Sequence, residues 1–292
     1  MSIKALRALK AITETGSFAA AADQLGLTLS AVSLQIKTLE QQLNTSLFDR
    51  SGRNAKLNHN GQQVLARAEQ ILNLYNQLGY DLDDSEHFSG QYSLGAIHSV
   101  QIGPLAPILA SLHKDHPNLQ IKVRRGQSAE LAKGIEKNQL DAALITEPIT
   151  HYASNCSFTP YTEEPFYIVA NQGATIADET KLLHQVPFIR FDKKAWAGAI
   201  IDEELMQRGI QVNEWMELDS MEAALRMVEY GLGITIMPLS RQRSQQLAKS
   251  FQLILFGTPP LKRSIGVYQK LNNSRAPVTK LVYELMVKHV IS

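Results

Sequence analysis

Residues 17–58 read SFAAAADQLGLTLSAVSLQIKTLEQQLNTSLFDRSGRNAKLN. Ser17 opens the stretch as an N-cap whose hydroxyl can accept a backbone N–H. An alanine run of high helix propensity follows, and it stops at Gly26, where a left-handed residue is easiest. Two residues on, Thr28 can cap a second helix. In that helix Val32, Ile36, Leu39 and Leu43 recur at steps of four, three and four, which makes one apolar stripe. Ser30, Ser33, Leu34, Lys37 and Gln41 fall on the outward side. Two helices joined by a tight turn, the second with a mostly polar outer face, are the ingredients of a helix-turn-helix. Next, Leu47 and Phe48 anchor a hairpin-like segment, and residues 49–53 turn with Arg50 and Arg53 near the tip. Arginines on a protruding turn suit phosphate contact or insertion into a minor groove. Residues 1–60 hold seven Lys and Arg against four Asp and Glu, a net +3. The competing reading is a helical hairpin packed on its own chain, with a solvated charged loop.

The rest of the composition frames that segment. A chain of 292 residues accommodates a small domain plus a larger one, and 44% hydrophobic residues are ample for packed cores. The net charge of +1 argues against polyanion binding by the whole surface, so a DNA-binding role must rest on a local patch. Cys156 is the only cysteine, which rules out an intrachain disulfide and a cysteine-rich zinc site. Residues 1–17 lack the apolar core of a secretory signal, and no apolar run is long enough to cross a bilayer. A cytoplasmic protein with no membrane partner is expected.

The chain divides into three zones. After Asn60, Val64, Ala68, Ile71, Tyr75 and Leu78 follow heptad spacing, with Leu65 and Leu72 widening the stripe. An ordinary amphipathic helix packed on its own domain would show the same pattern. Its position after a helix-turn-helix favours a dimer seam that sets two readers side by side. Asp81, Asp83, Asp84 and Glu86, with Ser85, Ser89 and Gly90, then form an acidic, small-residue linker that would repel phosphate. From Gln91 the period changes. Strands are expected at 92–97, 119–123, 142–145, 166–170, 187–191, 234–237 and 265–268, and helices at 103–116, 128–137 and 277–290. Asp219 and Glu222 have capping-box spacing at the start of a further helix that Gly231 ends. This alternation indicates parallel α/β layers.

GSFAAAADQLGLTLSAVSLQIKTLE, LFDRSGR and LNHNGQQVLARAEQIL together resemble the winged helix-turn-helix of LysR-type transcriptional regulators. GQYSLGAIHSV, LDAALITEP and DSMEAALRMVEYGLGITIMP resemble segments of that family's effector domains. The resemblance implies an all-α winged helix-turn-helix over 1–58, a linker and dimerisation helix over 59–89, and a periplasmic-binding-protein-like domain over 90–292. It further implies two α/β subdomains, the first about 90–161 and 265–292 and the second about 162–264, with crossings near 161–164 and 260–264. The implied partners are double-stranded promoter DNA, a second copy (with dimers pairing into tetramers) and a small metabolite. No cofactor beyond that effector and no metal are expected. The DNA-facing set is Thr28, Leu29, Ser30, Ser33, Leu34, Lys37, Arg50 and Arg53. Family members often carry glutamine and arginine where this chain has Leu29 and Leu34, so the common bidentate base readers are missing there.

Ligands of open α/β sheets gather at strand carboxyl ends, beside helix N-termini. That points to His98, Ser99, Val100 and Gln101 after the first strand, to Gln127 and Ser128 at the second helix, and to Thr146 after the third strand. Arg190, Trp196 and Asp219 are the counterparts from the other subdomain. Plain N-capping explains Ser99, Ser128 and Asp219 equally well and is compatible with ligand binding. Many family members have an arginine within 195–199; its absence argues against a strongly anionic effector, and Trp196 suggests an apolar or aromatic one.

Other chemistry is weakly supported. His98 beside Ser99 lacks a carboxylate partner and the geometry of a catalytic pair. His113 and His116 read as surface residues without a third metal ligand, and no phosphate-loop or dinucleotide glycine pattern occurs. Two functions of different class therefore stand. The first is a ligand-responsive DNA-binding regulator that is not an enzyme. The second is a small-molecule binding protein or enzyme with an N-terminal association module, which would not need Arg50 and Arg53.

Overall fold

The computed structural model describes residues 2–49, 55–77, 88–149, 153–173 and 179–291, in two compact units, 1–86 and 87–292. The first unit contains α1 (Ile3–Thr15), α2 (Phe18–Leu25), α3 (Leu29–Leu43), the short antiparallel pair β1 (Phe48–Asp49) and β2 (Lys56–Leu57), and α4 (His59–Gln77). Its turns follow local chemistry. Ser17 Oγ accepts from Ala20 N at 3.0 Å, Gly26 takes φ 64°, and Thr28 Oγ1 accepts from Ala31 N at 3.2 Å. Leu6, Leu9, Ile12, Val32, Ile36, Leu39 and Leu47 close the core. Leu43, the expected end of the stripe and the last residue of α3, is exposed instead.

The apolar stripe of α4 is partly used within its own unit. Ala68 and Leu72 are buried in this same core, with Val64 and Ile71 packed against it. A single short amphipathic helix satisfies its apolar stripe on the nearest partner, here its own unit. Of the described seam residues only Tyr75 is exposed, with the Arg7 guanidinium 5.8 Å from its ring centroid. Leu78 and the acidic linker lie outside the described residues.

The second unit continues with β3 (Gly90–Ala96), α5 (His98–Ile102), α6 (Leu105–Asp115), β4 (Leu119–Arg125), α7 (Ser128–Glu136) and β5 (Ala142–Thr146). The long strand β6 (Cys156–Asn171) follows, then α8 (Glu179–Gln185), β7 (Pro187–Phe191), α9 (Trp196–Gln207), β8 (Asn213–Leu218), α10 (Met221–Glu229) and β9 (Thr235–Pro238). The chain closes with α11 (Arg241–Leu247), β10 (Phe251–Leu255), β11 (Lys262–Lys270) and α12 (Ala276–Ile291). The expected helix over 103–116 is α6, and the short α5 precedes it, parted from it by Gly103 and Pro104.

Strand order is β10-β6-β11-β5-β3-β4, with β9 also on β6. The strands β3, β4 and β5 are parallel, as are β7 and β8, whereas β11 runs antiparallel to both β5 and β6. The sheet is therefore mixed rather than wholly parallel. Returning strands that cross between lobes enter without a βαβ crossover, and so run opposite to their neighbours. Residues 156–165 of β6 pair with β11 in the first lobe, while 166–171 pair with β9 and β10 in the second. One strand thus belongs to both lobes and changes partners at Pro165–Phe166. The first lobe has one core; the second has two, around Phe166 and Phe188 and around Val169 and Ile189.

Gly266 lies where β11 shifts register against β6. A Cβ there would sit 2.4 Å from Thr159 O and 2.5 Å from a Phe158 ring carbon. Gly266→Ala is expected to lower stability by about 1–3 kcal/mol, measured as a shift in the urea midpoint.

Candidate functional site

Between the two lobes of the second unit lies a cleft of about 510 Å³, within the usual range of small-molecule sites. Its first wall is made by the carboxyl ends of the parallel strands β3, β4 and β5, which carry His98 and Ser99, Gln127 and Ser128, and Thr146. The opposite wall is built around Trp196 and Asp219. Of the expected ligand residues, seven therefore line one cleft. Three do not, and each has a physical reason. Val100 is buried in the first lobe's core. Gln101 turns back to donate from Nε2 to Ala96 O at 2.8 Å. Arg190 is buried in the second lobe, where it pairs with Asp202 and, from Nε, with Glu214 at 2.7 Å. Burial pushes the Asp202 carboxyl up from its ordinary value, against the pull of Arg190 and Lys193.

The residues at the cleft floor were not singled out from sequence. Glu164 on β6 and Arg263 on β11 are register partners, both almost fully buried. Arg263 donates from Nε and Nη2 to Glu164 Oε2 at 3.0 and 2.7 Å. It also donates from Nη2 to Ser99 Oγ at 2.9 Å and from Nη1 to Thr146 Oγ1 at 3.3 Å. Both hydroxyl oxygens are thereby occupied as acceptors, which leaves their own protons for an acceptor in the cleft. Burial, with the Glu164 charge adding to it, pushes the nearby Tyr161 phenol far up, against the opposing pull of Arg263. The Ser128 hydroxyl accepts from Thr146 N at 3.2 Å and braces that corner. A cue existed in the sequence: a glutamate and an arginine each fell within an expected crossing, and Arg263 holds an inward position on β11.

Two contacts tie the walls together. Gln127 Nε2 donates to Asp192 Oδ2 at 2.6 Å, and Trp196, on the second lobe's α9, packs against the first lobe's core. Trp196 is thus both cleft wall and interlobe contact. The capping box is corrected: Ser220 Oγ, not Asp219, accepts from Ala223 N at 3.3 Å. Glu222 instead receives Arg243 Nη2 on both oxygens at 2.9 Å. Arg125 and Asp219 face the cleft with no ion pair among the described residues. His116 is buried rather than superficial, and its Nδ1 accepts from Phe88 N at 3.0 Å. No group of His, Cys, Asp and Glu among the described residues could hold a metal, and none of the described helices is long and apolar enough to cross a membrane.

In the first unit, Leu29, Ser30, Ser33, Leu34 and Lys37 are all exposed on α3, and Thr28 caps it with Ser30 Oγ 3.0 Å away. Arg50 and Arg53 lie outside the described residues.

A helix-turn-helix with a bare outer face, in one chain with a two-lobed α/β binding domain, defines the class of modular DNA-reading regulators. Residues 3–62 match the family model "Bacterial regulatory helix-turn-helix protein, lysR family", and residues 85–290 match the LysR substrate binding domain. The chain belongs to the LysR family of transcriptional regulators, a family of regulators rather than enzymes. It is 31% identical over 248 residues to a probable RuBisCO transcriptional regulator of Cyanophora paradoxa, covering 82% of this chain and 76% of that one. It is 29% identical over 240 residues to the HTH-type transcriptional regulator CzcR of Bacillus subtilis, covering 82% and 81%. Among solved structures it resembles a full-length OxyR variant from Pseudomonas aeruginosa (TM-score 0.74, 18% identity, 98% and 94% covered). It also resembles CbnR in complex with its target DNA (TM-score 0.70, 18% identity, 99% and 100% covered).

Arg263→Ala would strand a buried Glu164, at an expected cost of about 3–5 kcal/mol in chemical denaturation. Combining Arg263→Met with Glu164→Leu is expected to restore most of that stability, since the charge and its partner leave together.

Proposed function

We propose that this regulator binds a specific double-stranded DNA site through the outer face of α3, and that a small-molecule effector held between the two α/β lobes modulates that binding or promoter activity. The observation that carries the effector half is the cleft floor, where a buried ion pair presents the Ser99 and Thr146 hydroxyls as donors. Donors of that kind suit a carbonyl or carboxylate oxygen, while Trp196, Phe191 and Met221 offer an apolar surface to the rest of the ligand. Arg263 and Arg243 are already paired with Glu164 and Glu222, and the remaining charges of Arg125 and Asp219 offset one another, so the cleft favours a neutral or singly anionic molecule over a multiply charged one.

Such a ligand acts by preferring one arrangement of the lobes, so effector and DNA affinities are coupled reciprocally. Screening metabolites by thermal shift finds the effector, since a ligand at a hundred times its Kd adds about 2.7 kcal/mol to the folded state. Ser99→Ala should then weaken it about threefold to tenfold in calorimetry, the worth of one hydrogen bond, and leave effector-free DNA binding unchanged. Equal affinity in both proteins rejects the contact.

On the DNA side, Arg50 and Arg53 act at the wing. Replacing both with alanine should weaken binding on every sequence and flatten its salt dependence by about two phosphate contacts, measured by mobility shift over a salt series. Unchanged binding rejects the wing assignment. On this reading two copies pair their readers through the seam of Val64, Ala68, Ile71, Tyr75 and Leu78, of which Tyr75 is exposed on α4. Tyr75→Asp should yield smaller species in sedimentation; Ile71→Asp is the poorer probe, because Ile71 packs on its own core.

A further inference from the structure

The outer face of α3 is unusual for a reader of bases because of what projects from it. At about 100° per residue, Leu34 lies opposite the buried stripe of Val32, Ile36 and Leu39, and it is 64% exposed. Leu29, at the helix N-terminus, is 52% exposed. Ser30, Ser33 and Lys37 share the outward half of the helix with Leu34, and Lys37 is the sole cation of the helix. No arginine, asparagine or glutamine occupies the outward positions of its first two turns; Gln35 is half-buried on the inner side. The side chains that commonly distinguish guanine and adenine by paired hydrogen bonds are therefore absent from the outward positions of these first two turns, and Lys37 and Gln41 follow them on the same side.

An exposed branched apolar side chain has one complementary feature in a major groove: the C5-methyl of thymine. We infer that Leu34 is a specificity-determining residue that selects thymine by apolar contact with that methyl. The inference rests on the proposed docking of α3 in the major groove and adds the base chemistry that it reads. Burying one methyl against a leucine contributes about 0.8 kcal/mol, a factor of about four in affinity. Serines tolerate several bases as hydrogen-bond partners, and Lys37 suits guanine, so the selection of thymine on this face falls to Leu34. The same contact would accept 5-methylcytosine, which carries the identical methyl.

The test removes the methyl and nothing else. The full-length protein selects binding sites from a random duplex library, and each thymine of the selected site is then replaced singly by deoxyuridine. At one position or more in each half-site, wild type should bind the uracil duplex about fourfold more weakly. Leu34→Ala, which keeps helix propensity and leaves the core untouched, should bind the thymine and uracil duplexes at that position equally. Leu34→Gln should move the preference there toward adenine, whose N6 and N7 a glutamine can pair. The inference is overturned if no uracil substitution weakens wild type, or if Leu34→Ala retains the full thymine preference. Failure to select any site at low salt would instead overturn the docking of α3 itself, a distinguishable result.

Discussion

The buried Arg263–Glu164 pair is the constraint around which the cleft of the second unit is arranged. Glu164 sits on β6, the strand shared by both lobes, just before it changes partners, Arg263 sits in register with it on β11, and both are almost fully buried. Desolvating two such charges costs free energy that only close geometry and further hydrogen bonds can offset. Those further bonds are to Ser99 and Thr146, at the ends of β3 and β5. The requirement to satisfy one guanidinium therefore joins β6 and β11 to the cleft floor and fixes the orientation of the hydroxyls that face it. Replaced by apolar side chains, the junction could hold, but the cleft would lose its aimed donors.

Above that floor the lobes touch through a small set of groups with different sensitivities. Gln127 to Asp192 is a polar contact exposed to solvent, easily exchanged for water, whereas Trp196 sets an aromatic ring against the opposite lobe's core. Gly198, one residue past Ala197 on α9, is what lets that helix start so close to β7: a Cβ there would lie 2.0 Å from Asp192 O. The segment that carries Trp196 and the residue that receives Gln127 are thus locked together. On the proposed function, a ligand that displaces or recruits Trp196 would shift both contacts at once, which is the differential affinity that a two-state switch demands.

Much of the DNA-facing unit was legible residue by residue, because its signals are local. Ser17, Gly26 and Thr28 cap and stop helices through bonds to atoms three or four residues away, and each does what its chemistry implies. The α4 stripe was legible as a stripe, but its partner was not. Heptad spacing describes an apolar face without saying what covers it, and here Ala68 and Leu72 are buried in the core of their own unit, where α4 packs on α1. In the second unit, strand ends foretold Ser99, Ser128 and Thr146 as cleft residues, since ligands collect where parallel strands end. Arg190 was misplaced by the same logic: the end of a strand indicates a rim, not the direction in which a long side chain turns, and Asp202 and Glu214 draw this one into the second lobe.

The division has a physical basis. Residue order alone settles what depends on a few neighbouring residues: the helices and their caps, the apolar periods, the break in pattern after the acidic linker, and the bare leucines of α3. Tertiary structure alone decides what depends on residues far apart in the chain. Glu164 and Arg263 are 99 positions apart, and Arg263 reaches Ser99 across 164. No local rule pairs them; only the antiparallel return of β11 along β6 does. Buried charges must find partners somewhere, and which partner is found is a matter of topology, set when the strands close on one another.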